Sequence, residues 1–564
     1  MRILLKNATV VNVFTECLEK ENVLIDGDKI IGVGDYDDYS ADVVEDLSGK
    51  YICPGSIDGH IHVESTMLTP CQLAKVSLLH GTTSIVADPH EIANVCGVDG
   101  ILYMLESSKG LPFKVFVNLP SCVPSTPFDE SGACLTAEDL FPLYEEKRVL
   151  GLAEMMNYPG VLFGDKDVLK KISDAHAKGK VVDGHAPLLS GRDLDKYIAT
   201  GIQTDHECSI AEEAIEKLKK GQWIMIREGT AAKNLQGLLP LFEPPYSHRC
   251  LLVTDDRHPA DLKNEGHIDN IIRRAVTCGK SVITAIKMAT IQAAQCFALP
   301  YMGAVAPGYK ADLLILDDLD AVSVRDVYVD GKRVVSDKKV EDIEEPPVAS
   351  TLLEKVSSSC HVKDLSATDF CVTPSEGECR VIRVLAGSLI TEEMRCSVDW
   401  SKGNGIDVEK DLLKLAVIER HGKSGRIGLG YVHGLGLKKG AIASTVSHDS
   451  HNLIVVGASE KDMAMAANRI VAIGGGNVVV KDGKVLAEMP LPIAGLMSNF
   501  SANKVAKQND LVRAAVHELG TPQGVEPFMH MAFVSLPVIP HLKMTPGGLV
   551  DVDMFERVPL FVKN

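Results

Sequence analysis

Between residues 56 and 255 the chain repeats one pattern: short apolar runs alternate with helix-patterned stretches. The runs cover 56–62, 82–88, 114–118, 149–154, 180–185, 201–206, 222–228 and 251–255. Segments between them, such as 70–80, 166–177 and 211–219, bring apolar residues back at helical spacing. Eight strand-plus-helix units over about 250 residues are the signature of a (β/α)8 barrel, expected here from 54 to 303. Such barrels carry their chemistry at the C-terminal ends of the strands. Asp88, Glu154, His185, His206 and Asp255 all stand at or just past those ends.

The flanks read differently. Residues 23–25 and 29–33, with Asp26-Gly27 between them, predict a hairpin, and 312–316, 327–329 and 334–335 around Asp330-Gly331 repeat the signal. The expectation is a small β-sandwich domain built from 1–53 plus 304–345, with the barrel inserted in it. The charged, Pro-containing stretch 338–350 predicts a linker. A C-terminal mixed α/β domain follows over 351–564, with a strand at 453–456, a helix at 460–472 and a further hairpin signal at Asp482-Gly483. The fold class is therefore α/β.

Composition narrows the partners. A net charge of −18 argues against nucleic acid, whose backbone needs clustered Lys and Arg. Fourteen cysteines are scattered with no C-x-x-C pair, which speaks against a zinc ribbon or redox motif. The start, Met1-Arg2-Ile3-Leu4-Leu5-Lys6, is too soon charged for a signal peptide, and no apolar run of about 18 residues predicts a membrane span. A cytoplasmic enzyme without membrane or nucleic-acid partners is the expectation.

His60-Ile61-His62 closes the first run. Residues i and i+2 of a strand share a face, so both imidazoles can reach one ion. Two histidines of this kind are as often packed strand residues as ligands; with His185, His206 and Asp255 at other strand ends, the balance moves to a metal. A carboxylate at Asp255 can hold a cation and also take a proton from water; Asp256 can share or exchange those roles. Glu154 ends a run that otherwise has no use for charge, and one cation, or two bridged by it, removes the cost of burying it; a salt bridge does the same. Asp88-Pro89-His90-Glu91 can hold substrate, deliver protons or bind an extra ion, with Glu91 the candidate hydrogen-bond partner of a ring nitrogen. In the last domain Ser447-His448-Asp449-Ser450-His451-Asn452 precedes a strand, and His448, Asp449 and His451 are candidates for a lid over the barrel mouth or an extra metal site; a plain polar turn fits equally. The match of His62-Val63-Glu64 to half of the zinc cytidine-deaminase signature fails at Ala74, where cysteine is required.

Together these residues resemble the amidohydrolase superfamily: His-x-His on the first barrel strand, Lys or Glu on the fourth, His on the fifth and sixth, Asp on the eighth. That places His60, His62, Glu154, His185, His206 and Asp255 as metal ligands. Within the superfamily, Gly59-His60-Ile61-His62-Val63-Glu64-Ser65, Asp88-Pro89-His90-Glu91-Ile92-Ala93-Asn94, Asp183-Gly184-His185-Ala186-Pro187, Thr254-Asp255-Asp256-Arg257-His258-Pro259 and the 447–452 segment are most similar to bacterial-type adenine deaminases. The resemblance implies a divalent metal centre, two ions bridged by Glu154, with Mn2+ or Fe2+ favoured over Zn2+. It implies hydrolytic deamination of adenine to hypoxanthine, as in purine salvage. Asp255 is then the base, His206 an auxiliary acid or ligand, and Glu91 the group that protonates or holds the ring. Asp88, His90, Glu91 and Asp256 bind substrate, and a homodimer is expected. The alternatives are another amidohydrolase chemistry, such as an N-acetyl-sugar-phosphate deacetylase, and an inactive metal- or nucleobase-binding scaffold.

Overall fold

The computed structural model describes residues 1–230 and 232–562. Eight parallel strands form its centre: β1 (Ser56–Ile61), β2 (Thr82–Ala87), β3 (Lys114–Leu119), β4 (Val149–Met155), β5 (Val181–Gly184), β6 (Thr204–Asp205), β7 (Trp223–Arg227) and β8 (Cys250–Val253). β1 to β5 pair in sequence, as do β6 to β8. Two backbone contacts join these arcs. Gln203 N donates to the Val182 carbonyl at 3.0 Å between β5 and β6, and Asp255 N donates to the His60 carbonyl at 2.9 Å between β8 and β1. The ring thus closes into the expected barrel. Its inner strands are buried on both faces, as a parallel sheet under helices requires.

β6 is only two residues long, against the expected run of 201–206. Gly201 turns the chain at φ +93°. Beyond Thr204, the Asp205 carboxylate takes the amide protons of Ala186 (3.0 Å) and Glu207 (2.9 Å), so side chain replaces ladder at the mouth of the barrel.

Strands from both flanks join one nine-stranded sheet around its own apolar cluster, with Leu313–Leu316 running antiparallel to Tyr51–Pro54. The predicted hairpin is present, turning at Gly27 with φ +61°. The stretch expected as a linker does not hang free. It begins in the strand Lys339–Val340, and Ile343 is buried. Glu345 Oε1 accepts hydrogen bonds from Thr69 Oγ1 and Gln72 Nε2, both at 3.2 Å. Glu345 reads as solvated, but its carboxylate finds donors at the start of the helix Pro70–Leu79.

The C-terminal region carries a second nine-stranded sheet. Helices used below are α1 (His90–Cys96), α2 (Glu460–Ala472), α3 (Ala502–Glu518) and α4 (Pro527–Val534). Ser459 caps α2, accepting from Asp462 N, and the apolar face Met463, Ala466, Ala467 and Ile470 is buried on the sheet. Among the described residues no helix is long and apolar enough to cross a membrane.

Candidate active site

β1 and β8 set the first pair of ligands. Because Asp255 N bonds to His60 O, and His62 N donates back to Asp255 O at 3.4 Å, the end of β8 is pinned beside His60 and His62. Asp255 pays for this with a left-handed backbone, φ +59°, a strained conformation of the kind found where side-chain aim matters. Its Oδ1 lies 3.0 Å from His62 Nε2 and 3.9 Å from His60 Nε2. From β4, Glu154 reaches the centre: Oε1 is 3.5 Å from His62 Nε2, while Oε2 is 2.7 Å from His185 Nδ1 and 3.1 Å from His206 Nε2. All six side chains assigned as ligands from the sequence meet at one mouth, and only His185 is more than slightly open to solvent.

The protonation chemistry of this cluster fits a cation. His62 Nδ1 lies 3.0 Å from the Asp88 carbonyl, so Nδ1 carries a ring proton, and Nε2 faces the carboxylates of Asp255 and Glu154. A buried nitrogen beside two carboxylates needs positive charge between them, supplied either by a metal cation or by a second ring proton, which Asp255 favours against burial. His60 Nε2, 1% exposed at the residue, has no hydrogen-bond partner. Ring nitrogens and carboxylate oxygens are the donor set of Mn2+, Fe2+ and Zn2+ alike. Burial alone pushes the Glu154 carboxyl up, but His185 and His206 outweigh it and hold Glu154 well below the usual range.

Two groups beside the centre were not singled out in the sequence. Arg227, the last residue of β7, places Nη1 2.6 Å from Asp255 Oδ2 and also pairs with Glu207. Glu207 Oε1 in turn lies 3.4 Å from His206 Nε2. The seventh run hid this because Glu228, not Arg227, ends it; Glu228 pairs outward with Arg274. Asp205-His206-Glu207 offered a signal of a kind, three ligand types in a row after a strand.

Asp88 and His90 stand against Glu154 rather than in an open cleft: His90 Nδ1 is 3.4 Å from Glu154 Oε1 and 3.3 Å from Asp88 Oδ2. Glu91 lies in the first turn of α1, whose N-cap residue Pro89 offers no side-chain acceptor; Asp88 Oδ1 accepts from His90 N at 3.1 Å, and Glu64 accepts from Ile92 N at 3.0 Å from across the mouth. Ser65 Oγ contacts both Glu91 Oε1 (3.2 Å) and Asp256 Oδ1 (2.6 Å). Asp256 is half-buried, and burial and the neighbouring Asp255 charge raise its carboxyl above the ordinary value.

The 447–452 segment reaches this place. Ser450 Oγ donates to Asp129 Oδ1 at 2.9 Å and Asn452 Nδ2 donates to the Glu130 carbonyl at 3.0 Å, both on the barrel side. That docking puts His448 Nδ1 3.0 Å from Glu91 Oε1 and His90 Nε2 3.8 Å from Asp449 Oδ1. Burial lowers the His448 imidazole; Glu91 overcomes this and raises it to about 9. A cleft of about 270 Å³ opens beside these groups, lined by Ser65, Asp256 and His448 within and by α3 and α4 residues such as Asn509, Arg513 and Phe533 outward.

Comparison with known proteins agrees with this geometry. Residues 51–334 match the amidohydrolase family and 388–556 match the adenine deaminase C-terminal domain. The chain is 45% identical over 562 residues to an adenine deaminase of Desulfatibacillum aliphaticivorans, covering 99% of this chain and 97% of that protein. It is 45% identical to an adenine deaminase of Clostridium acetobutylicum, covering 98% and 96%. A third, from Kosmotoga olearia, is 44% identical over 99% of this chain and 96% of its own length.

Proposed function

The chain belongs to the adenine deaminase family of amidohydrolases, and from that premise we propose how its own residues convert adenine and water to hypoxanthine and ammonia. The single observation that carries the reading is the convergence of four histidines and two carboxylates from five strands, with buried nitrogen lone pairs that a cation satisfies. His60, His62 and Asp255 would hold one divalent ion and His185 and His206 a second, with Glu154 shared between them. When bound, such ions supply positive charge that makes an attacking water more acidic and steadies developing negative charge. Mn2+ or Fe2+ rather than Zn2+ is the family's implication.

Asp255 accepts a proton from the water that attacks C6 and hands it to the departing amine. Arg227 holds the other oxygen of that carboxylate, which fixes its aim and keeps it ionised between transfers. His206 stands by as ligand or auxiliary acid. Asp256 and Ser65 line the cleft, and Asp256 with Glu91, joined to it through Ser65, holds the heterocycle, Glu91 delivering a proton to a ring nitrogen. Asp88 and His90 act on substrate only through Glu154 and the loop they begin, given where they stand. Every relative named above is an adenine deaminase, which sets aside the sugar-phosphate deacetylase and the inactive scaffold. All fourteen cysteines are free thiols, in keeping with a cytoplasmic setting. The exposed Phe163, at the end of the short helix Tyr158–Phe163 after β4, and Leu188, on the loop after β5, offer apolar surface to a second subunit of the expected dimer.

The test is ammonia release from adenine by metal-stripped protein reloaded separately with Mn2+, Fe2+ and Zn2+. Activity returns with Mn2+ or Fe2+ most fully. In the reloaded protein Asp255→Asn is slower by about 10²–10⁴. Reloaded protein that releases no ammonia from adenine, or an Asp255→Asn variant as fast as its parent, overturns the assignment.

A further inference from the structure

The C-terminal region does more than roof the cleft. Glu91 Oε1 is held from two sides, by Ser65 Oγ and by His448 Nδ1, while Oε2 is buried with no protein partner. His448 comes from the other half of the chain, yet it is 8% exposed and forms part of the cleft wall. Its plane is fixed by stacking on Phe533 of α4, with ring centroids 4.5 Å apart and 22° between planes. The loop bearing it is tied to the barrel through Ser450 and Asn452.

Glu91, His448 and His451 lie close enough together to suggest a third cation site. The tautomer of His451 argues otherwise. Ser447 N donates to His451 Nδ1 at 3.2 Å, so the ring proton sits on Nε2 and that nitrogen offers no lone pair. What remains is a carboxylate with one oxygen taken by an imidazole N–H and the other free.

We propose that His448 is the relay partner of Glu91: its Nδ1–H holds the carboxylate in place and supplies the proton that Glu91 passes to a ring nitrogen of the substrate. This rests on the role given to Glu91 above. The N–H bond of His448 breaks toward the Glu91 carboxylate, and the carboxyl O–H so formed then breaks toward the ring nitrogen, whose lone pair takes the proton. The proton removed from water by Asp255 leaves with the amine. The hydroxyl proton on C6 departs to solvent, and His448 takes one back from solvent, so the sum stays adenine plus water to hypoxanthine plus ammonia. The C-terminal region is thereby part of the reaction and not only of the scaffold.

Three variants of the full-length, metal-loaded chain decide the matter: Glu91→Gln, His448→Asn and the pair together. Asn keeps an N–H near Glu91 but carries no transferable proton. His448→Asn is expected to keep its metal content and to lose about 10²–10⁴ in kcat. The double variant is expected to be no slower than Glu91→Gln alone, because one acts through the other. Losses that multiply in the double variant, or a His448→Asn enzyme as fast as the parent, overturn the relay. If Glu91→Gln alone retains full activity, the role of Glu91 itself is wrong, and the single variant reports that separately.

Discussion

Lys543 sits in the strand Leu542–Thr545 with no exposed surface, its Nζ 3.4 Å from the Leu389 carbonyl. Burial pushes its ammonium down to about 7, whereas in the unfolded chain it titrates at roughly 10.4, as an ordinary lysine does. Between those two values the unfolded chain binds more protons, so stability rises with pH across the interval. Below about 7 both states are protonated and the full burial penalty is felt. Lys543→Met should therefore raise the thermal midpoint at pH 6, with a gain that shrinks toward pH 10. Parallel melting curves at pH 6, 8 and 10 check this; a difference that stays constant with pH counts against it. Nothing in the sequence marks Lys543, since a lysine between apolar strand residues reads as solvent-facing. The same blindness hid Arg227, whose charge is spent on Glu207 and Asp255 inside the barrel mouth. By contrast the convergence of His60, His62, His185 and His206 was legible, because donor chemistry shows in residue type and in a place at a strand end. Their partners show only once the strands are side by side.

The elements themselves explain a glycine that the motif Asp183-Gly184-His185 left unexplained. A Cβ on Gly184 would stand 2.2 Å from the Thr204 carbonyl and 2.9 Å from the Ile202 side chain, the first a backbone atom that cannot swing aside. β5 and β6 can therefore approach only through a glycine, and that approach sets His185 and His206 3.3 Å apart across Glu154. Gly184→Ala should push the two strands apart, costing about 1–3 kcal/mol as overpacking does. Metal retention should fall with it, more than in an equally destabilised variant remote from the mouth. Metal content after dialysis, measured beside thermal stability, tests this; full retention in a destabilised Gly184→Ala protein shows that the spacing of β5 and β6 does not govern the ligands. Strand number and order were readable from apolar runs, because period and turn residues are local signals. The shortness of β6 and the packing of 341–349 were not, because both depend on side-chain hydrogen bonds to segments distant in sequence.

The barrel and the C-terminal region share one apolar core, in which Leu73, Ile101 and Leu262 belong to the same buried cluster as Leu413, Ile454 and Val516. Polar ties reinforce it. Lys355 Nζ pairs with Asp99 at 2.8 Å, Ser498 N donates to the Met67 carbonyl at 2.9 Å, and Arg426 pairs with Glu130 at 2.8 Å. Chains of this length commonly unfold region by region, since each domain can have its own core. Here exposing either half uncovers apolar surface of the other, at about 25 cal/mol per Å², so the two halves are coupled. Cations held at the barrel mouth stabilise only the folded state, by an amount that follows their concentration over their Kd. That stabilisation should reach the C-terminal region through the shared core. We therefore expect one principal calorimetric transition in the metal-loaded chain, moving down as a unit when a chelator strips the ions. The loss of structure in the C-terminal region, followed by hydrogen exchange at α3, should shift together with the barrel strands. A separate transition for α3 that ignores the chelator would mean that the contact between the halves is a docking of independent bodies, and the position of His448 beside Glu91 would then rest on the 447–452 loop alone.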